Sequence, residues 1–195
     1  MGPFPDGVYR AQFPYYYRNL EGMPQEAALD YYLNSIKDVF EQCGPADSIA
    51  AIVVEPLQGE GGFIPAPIEW VKAVRKICDE NGILLVADEV QTGFCRTGRM
   101  FATQYWEEAG VQPDILATAK FIAAALKTIE IMERDDLAGC SCEIGEKVSK
   151  RFNEWKEKYP VIGDVRGLGG MIGLEFVKDQ KSKEPYPEFS AAVIS

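Results

Sequence analysis

Histidine is absent from all 195 residues, which removes the imidazole on which serine-histidine hydrolases and histidine-bound zinc sites depend. Acid-base chemistry in this chain must fall to Lys, Asp, Glu, Tyr or Cys. Also missing is any apolar run near the roughly 20 residues that cross a bilayer. The 47% hydrophobic and 26% charged composition is that of ordinary soluble globular proteins, so no membrane partner is expected. Basic residues are in deficit, 20 against 30 acidic for a formal charge of −10. Such a surface repels phosphate backbones, so nucleic acid is not an expected partner either. The cysteines (Cys43, Cys78, Cys95, Cys140 and Cys142) are odd in number and form no paired framework, which reads as reduced thiols. Residues 1–10 carry Pro3, Pro5 and Asp6 where an export leader needs a basic start and an apolar run. A cytoplasmic location is the expectation.

Residues 1–24 are rich in Pro, Gly and Tyr and predict an extended segment lying on something else. Leu29, Leu33, Ile36 and Phe40 then recur at the spacing of one helical face, predicting a helix over 25–42 before Gly44-Pro45. Residues 49–54 form a continuous β-prone apolar run, as in a parallel strand covered on both faces. A glycine-rich loop follows, then Pro67 in a first helical turn. Val71, Val74, Ile77 and Cys78 line a helix that stops at Asn81-Gly82. Residues 83–87 are a second buried strand, which completes a βαβ unit with parallel strands. Residues 115–118 predict a third strand, and 123–158 a helix interrupted around Gly139, with Ile144, Val148, Phe152 and Trp155 on one side. Beyond Pro160, residues 164–176 predict a glycine-rich turn and a strand at 171–176, followed by a polar tail from Lys178.

Glu55, Asp88 and Lys120 stand at or just beyond the carboxyl ends of the three strands, the edge at which open α/β sheets bind ligands. Singly each has a bland explanation: a strand-end carboxylate caps the next turn, and a lysine is usually solvated. Together they fit one chemistry. A lysine amine forms a Schiff base with an aldehyde cofactor and later moves a proton. A carboxylate beside a pyridine nitrogen favours its protonated form and makes the ring an electron sink. That pairing is what pyridoxal phosphate requires. Competing motifs fare worse. Gly167-Leu168-Gly169 precedes a strand and has Ile172 where a dinucleotide fingerprint needs glycine. Glu60 within Gly59-Glu60-Gly61-Gly62 would repel a phosphate. Cys140 and Cys142 do not share a helical face and make a poor metal pair.

Val54-Glu55-Pro56-Leu57-Gln58-Gly59-Glu60-Gly61-Gly62-Phe63, followed by Ala87-Asp88-Glu89-Val90-Gln91-Thr92-Gly93-Phe94-Cys95-Arg96-Thr97-Gly98, resembles the class III pyridoxal-phosphate-dependent aminotransferases. The pattern is nearest to the 4-aminobutyrate aminotransferases. The resemblance extends over residues 8–18, 113–120 and 163–169. It implies a type I pyridoxal-phosphate-dependent transferase fold, with residues 1–158 in the large α/β domain and 159–195 opening the small one. It implies further that Asp88 pairs with the pyridinium nitrogen, Val90 packs on the ring, Gln91 hydrogen-bonds the phenolic oxygen and Lys120 is the Schiff-base lysine. Glu60 would line the substrate pocket, where the family pairs it with an arginine, and Glu55 would support that pocket. The reaction implied moves an amino group from an ω-amino acid such as 4-aminobutyrate to a 2-oxo acid such as 2-oxoglutarate, in a homodimer.

Against the family pattern, three parts are expected to be missing: an upstream phosphate cup, a downstream substrate-carboxylate arginine, and an internal stretch where Phe121-Ile122-Ala123 joins Ala124-Ala125-Leu126-Lys127. With no helix breaker at that join, a helix could begin near Lys120. Two alternatives stand beside the enzyme: a catalytically inert fragment that partners a full-length homologue, and a small α/β binding module.

Overall fold

The structure is a computed structural model and describes residues 6–18, 23–119 and 125–194. After a single 3-10 turn at Tyr16–Arg18, the first α-helix is α1, Gln25–Gln42. Its buried stripe is Ala28, Tyr32 and Ile36, with Leu29, Leu33 and Phe40 packed at the margin. The stripe therefore lies slightly off the expected one, because Tyr32 turns inward and its ring meets Tyr16 at 6.1 Å. Residues 6–12 are exposed, and from Phe13 on the segment packs as expected: the Tyr32 hydroxyl donates to the Tyr15 carbonyl, and Phe13 meets Trp70 with ring centroids 5.6 Å apart.

Strand β1 is Ala51–Val54. The glycine-rich segment after it is more ordered than a loop, because β2, Leu57–Gln58, and β3, Ile64–Pro65, pair antiparallel across it. Helix α2, Ile68–Asn81, is capped by Pro67 immediately before its first turn and ends at Gly82 in the left-handed conformation (φ +68°), where glycine is strain-free. Trp70, Val71, Val74 and Cys78 form its buried face, while Ile77 is only half-buried. Each large apolar side chain so buried contributes about 1.5–3 kcal/mol as an upper bound.

Strand β4, Leu84–Asp88, lies between β1 and β5, Ile115–Ala117, and both pairings are parallel. Helix α1 and helix α2 cover the face bearing Val54, Leu85 and Ala87. The expectation of cover on both faces fails. Alternation places Ala51, Val53, Leu84, Val86, Asp88 and Ile115 on the opposite face, where Val53 is 65% and Leu84 45% exposed. Among the described residues no helix lies over it.

A short helix α3, Gln104–Glu108, seats Trp106 in the core. The long helical stretch breaks at Asp135-Asp136 and not at Gly139, giving α4, Ala125–Arg134, and α5, Leu137–Lys158. Asp136 takes a left-handed conformation and its carboxylate accepts from the Gly139 N–H at 3.1 Å, so Gly139 is the capped residue and Asp136 supplies the cap. Residues 162–168 are also strand. Strand β6, Ile162–Leu168, pairs antiparallel with β7, Met171–Phe176, and only Gly169-Gly170 turns between them. The polar tail closes with helix α6, Pro187–Ile194, whose Phe189 meets Phe176 at 5.1 Å.

At the hairpin turn three segments touch without side chains. A Cβ at Gly145 of α5 would strike the Gly169 carbonyl, and one at Gly169 would strike the Thr97 backbone. The Ser141 hydroxyl donates to the Arg96 carbonyl (2.8 Å) and accepts from the Gly170 N–H (2.9 Å), completing the junction.

Candidate active site

Asp88 ends β4 and emerges on the open face. Its Oδ1 accepts from the Val90 N–H at 3.0 Å, which turns the chain sharply off the strand. Among the described residues its other carboxylate oxygen takes no hydrogen bond, and Asp88 lines a cleft of about 750 Å³ along the free edge of β1. Glu55 and Gln58 line that cleft with it, as do Val8, Tyr9 and Phe13. Val90 is 39% exposed, an apolar side chain held at the sheet edge.

Gln91 reaches the loop between β2 and β3. An added Cβ at Gly59 would coincide with the Gln91 amide, so only glycine lets this amide lie against the loop backbone. Glu55 accepts from the Gly59 N–H at 3.0 Å; its carboxylate closes the turn after β1, as the bland reading foresaw, while also lining the cleft. Glu60 sits exposed in the same loop. The structure thus gathers Glu55, Gly59, Asp88 and Gln91 at one edge. Lys120, along with the join at 121–124, lies outside the described residues. It follows Ala117, the last residue of β5, by three positions.

Sequence reasoning passed over Glu89. It is fully buried, and its carboxylate accepts from the Thr103 N–H at 2.6 Å and from the Thr92 hydroxyl. Its own N–H donates to the Ala117 carbonyl at 2.8 Å. One residue therefore joins the end of β4, the turn that carries Gln91, the start of α3 and the end of β5. Two signals pointed there: strand alternation puts residue 89 on the covered face with 85 and 87, and Thr92 stands three positions on. The turn beyond also holds two successive non-glycine residues at positive φ, Phe94 (+60°) and Cys95 (+67°), a strain the packing around it must sustain. Among the described residues no three His, Cys, Asp or Glu side chains cluster to hold a metal ion.

The aminotransferase class III family matches residues 1–126 and 121–193, two stretches that together span nearly the whole chain. This protein belongs to the class III aminotransferase family. It is 36% identical to a probable 4-aminobutyrate aminotransferase of Bacillus subtilis over 228 residues, covering 99% of this chain and 52% of that protein. It is 40% identical to a 5-aminovalerate aminotransferase of Pseudomonas putida, covering 90% and 47%. It is 33% identical to an isoleucine 2-epimerase of Lentilactobacillus buchneri, covering 100% and 50%. Among solved structures, an (S)-enantioselective omega-transaminase from Thermomicrobium roseum superposes with a TM-score of 0.84 at 30% identity, covering 97% of this chain and 50% of that one. An amine transaminase of an uncultivated Pseudomonas species, solved with pyridoxal phosphate bound, gives 0.78 at 32%, covering 89% and 48%. The fold is accordingly that of the type I pyridoxal-phosphate-dependent transferases, present in part. The chain spans about half the length of the curated relatives it matches. The alignment with the Bacillus protein is longer than this chain, so the relative carries residues with no counterpart here.

Proposed function

We propose that this chain carries the ring-binding side of a pyridoxal-phosphate-dependent aminotransferase site, for transfer from an ω-amino acid such as 4-aminobutyrate to a 2-oxo acid such as 2-oxoglutarate. The observation that carries the reading is Asp88, which lines the cleft at the end of a central parallel strand while its Oδ1 is bound by its own turn. The residues present fit the cofactor: an open carboxylate for a ring nitrogen, an apolar Val90 at the same edge, and an amide at Gln91. When bound, pyridoxal phosphate supplies an aldehyde and an electron-withdrawing ring. Asp88 would keep a proton on the ring nitrogen by its negative charge. Val90 would press on the ring face, and Gln91 would donate to the phenolic oxygen. The Lys120 amine would take and return the proton at the substrate carbon bearing nitrogen. Glu60 would border the substrate, on a turn that Glu55 holds in shape.

Two relatives named for ω-amino acids support the substrate class. The division at residues 158 and 159, the homodimer and a cytoplasmic location belong to the same proposal. No helix among the described residues is long and apolar enough to cross a membrane. The alternative of an inert fragment that partners a full-length homologue is favoured by the bare sheet face around Val53 and Leu84. It is favoured as well by the family match breaking into two stretches that meet at 121–126, where the internal gap is expected.

Borohydride reduction in the presence of pyridoxal phosphate separates the two. The aminotransferase reading expects a phosphopyridoxyl label on Lys120, lost in Lys120→Ala. Label spread evenly over surface lysines would overturn it and leave the partner reading.

A further inference from the structure

The hairpin of β6 and β7 meets the glycine loop of residues 59–63 through one guanidinium. Arg166 of β6 is largely buried, with 12% of its side chain exposed. Its Nη1 donates to Asp164 Oδ2 at 3.2 Å and its Nη2 to Glu175 Oε2 at 3.0 Å. The Tyr15 ring lies 4.7 Å from its Cζ. Glu175 is itself held by the Tyr15 hydroxyl at 2.9 Å and by Arg18. Two carboxylates and an aromatic face thus fix the orientation of the planar fork. The remaining Nε–H is given to the main-chain carbonyl of Gly62, at 2.8 Å and 104 positions away in sequence.

That contact governs more than one bond. The Gly62 and Phe63 N–H groups both donate to the Gly59 carbonyl, at 3.0 and 3.3 Å, so holding Gly62 holds Gly59. Gly59 in turn carries the Gln91 amide against its backbone, and Glu60 lies between the two glycines. The loop rests flat on the hairpin. A Cβ at Gly173 would stand 2.9 Å from the Gly62 carbonyl oxygen, and one at Gly62, where φ is +113°, would stand 2.8 Å from Arg166 Nη2.

We infer that Arg166 is a positioning residue: through the Gly62 carbonyl it sets, from the β6–β7 hairpin, where the loop presents Glu60 and where Gln91 is held. The roles of Glu60 and Gln91 at a cofactor site rest on the aminotransferase reading, whereas the clamp does not. One consequence is that a displacement of the hairpin drags the loop with it, which couples hairpin position to the edge bearing Asp88.

The test uses the whole chain and nuclear magnetic resonance. In Arg166→Gln the Gly62 and Phe63 amides should exchange at least about ten-fold faster than in wild type. The side-chain amide pair of Gln91, assigned by its loss in Gln91→Glu, should shift, while amides of α2 keep their protection. Arg166→Lys should restore most of the loop protection, because an ammonium still donates to one carbonyl. Arg18→Gln should move both signatures much less, since Arg18 reaches the loop only through Glu175, which Tyr15 and Arg166 still hold. Should Arg166→Gln lose its dispersed spectrum, Gly173→Ala supplies the same test, for its methyl lifts the loop while every charge stays. An unmoved Gln91 pair in the variant that folds, or an equal effect from Arg18→Gln, would overturn the inference. Failure to label Lys120 with these signatures intact would retire the aminotransferase reading alone.

Discussion

Replacing Glu89 should cost more than any other single change at the candidate site, and the structure allows the size to be worked out. Glu89 is fully buried and accepts two hydrogen bonds, from the Thr103 N–H and the Thr92 hydroxyl. Glu89→Ala leaves both donors without an acceptor in a place water does not reach, at about 1–3 kcal/mol each. The lost side-chain packing adds to this, and a total of about 4 kcal/mol follows. Glu89→Gln keeps the shape and one carbonyl acceptor, and the Thr92 hydroxyl can rotate to accept from the new amide, so about 1 kcal/mol is expected. Urea unfolding followed by tryptophan fluorescence is the assay, because Trp106 sits in α3, whose first turn the Glu89 carboxylate anchors. In a chain of this size each kcal/mol moves Tm by about 2–4 °C, so Glu89→Ala should melt roughly 10 °C below wild type. A Glu89→Ala chain within about 0.5 kcal/mol of wild type would refute the view that this carboxylate ties the turn to α3.

Glu175 predicts a pH dependence. Burial pushes its carboxyl up, but hydrogen bonds from Arg18 and Tyr15 and the charges of Arg18 and Arg166 outweigh burial and hold it below the ordinary glutamate range. A carboxyl with a folded pKa below its unfolded value of about 4.3 stabilises the fold above that pH and loses the contribution as pH falls through the folded value. The stability advantage of wild type over Glu175→Gln should therefore be steady near neutrality and shrink in acid; an advantage that grows below about pH 4 contradicts the assignment. For the thiols, burial pushes Cys78 up to about 11 although Arg75 opposes it, while Cys43 and Cys140 are exposed. Iodoacetamide at pH 8 should modify Cys43 and Cys140 first and reach Cys78 only in urea; early modification of Cys78 in the folded chain would show that α2 does not pack as described.

What could be read from the sequence was whatever depends on local periodicity. The Val71, Val74 and Cys78 stripe, the Gly82 stop and the apolar runs of β1 and β4 each carry their signal within a dozen residues, and each is an element of the structure. Asp88 was legible as a carboxylate at a strand end, whereas Val90 and Gln91 were singled out by the family resemblance alone. Elements held by distant partners were not legible. The strand at 162–168 was hidden for a nearer reason, since Gly163, Asp164, Arg166 and Gly167 break the apolar alternation although β7 pairs with it across Gly169-Gly170; what is distant there is the Arg166 contact with Gly62. Glu89 is buried because the Thr103 amide, 14 positions later, comes to meet it. The helix breaks at Asp136 and not at Gly139 because an aspartate in a left-handed conformation both stops one helix and caps the next, a role that composition does not reveal. The third strand was legible in residues 115–117, but its edge position and the bare sheet face among the described residues are set by the order of strands, which no local pattern encodes.

The contact among Gly145, Gly169 and Thr97 has a bearing on how this chain can drift under mutation. Where two surfaces meet through side chains, a substitution is absorbed by a neighbouring rotamer, and sequence wanders by small compensated steps. Here backbone lies on backbone, and the smallest available change, a single methyl at Gly145 or Gly169, would strike a peptide group that has no rotamer to yield. No single neighbouring substitution can make the room. The position where α5, the hairpin and the Arg96–Gly98 turn converge is thus a point of little tolerance, far stiffer toward mutation than the tryptophan-lined core.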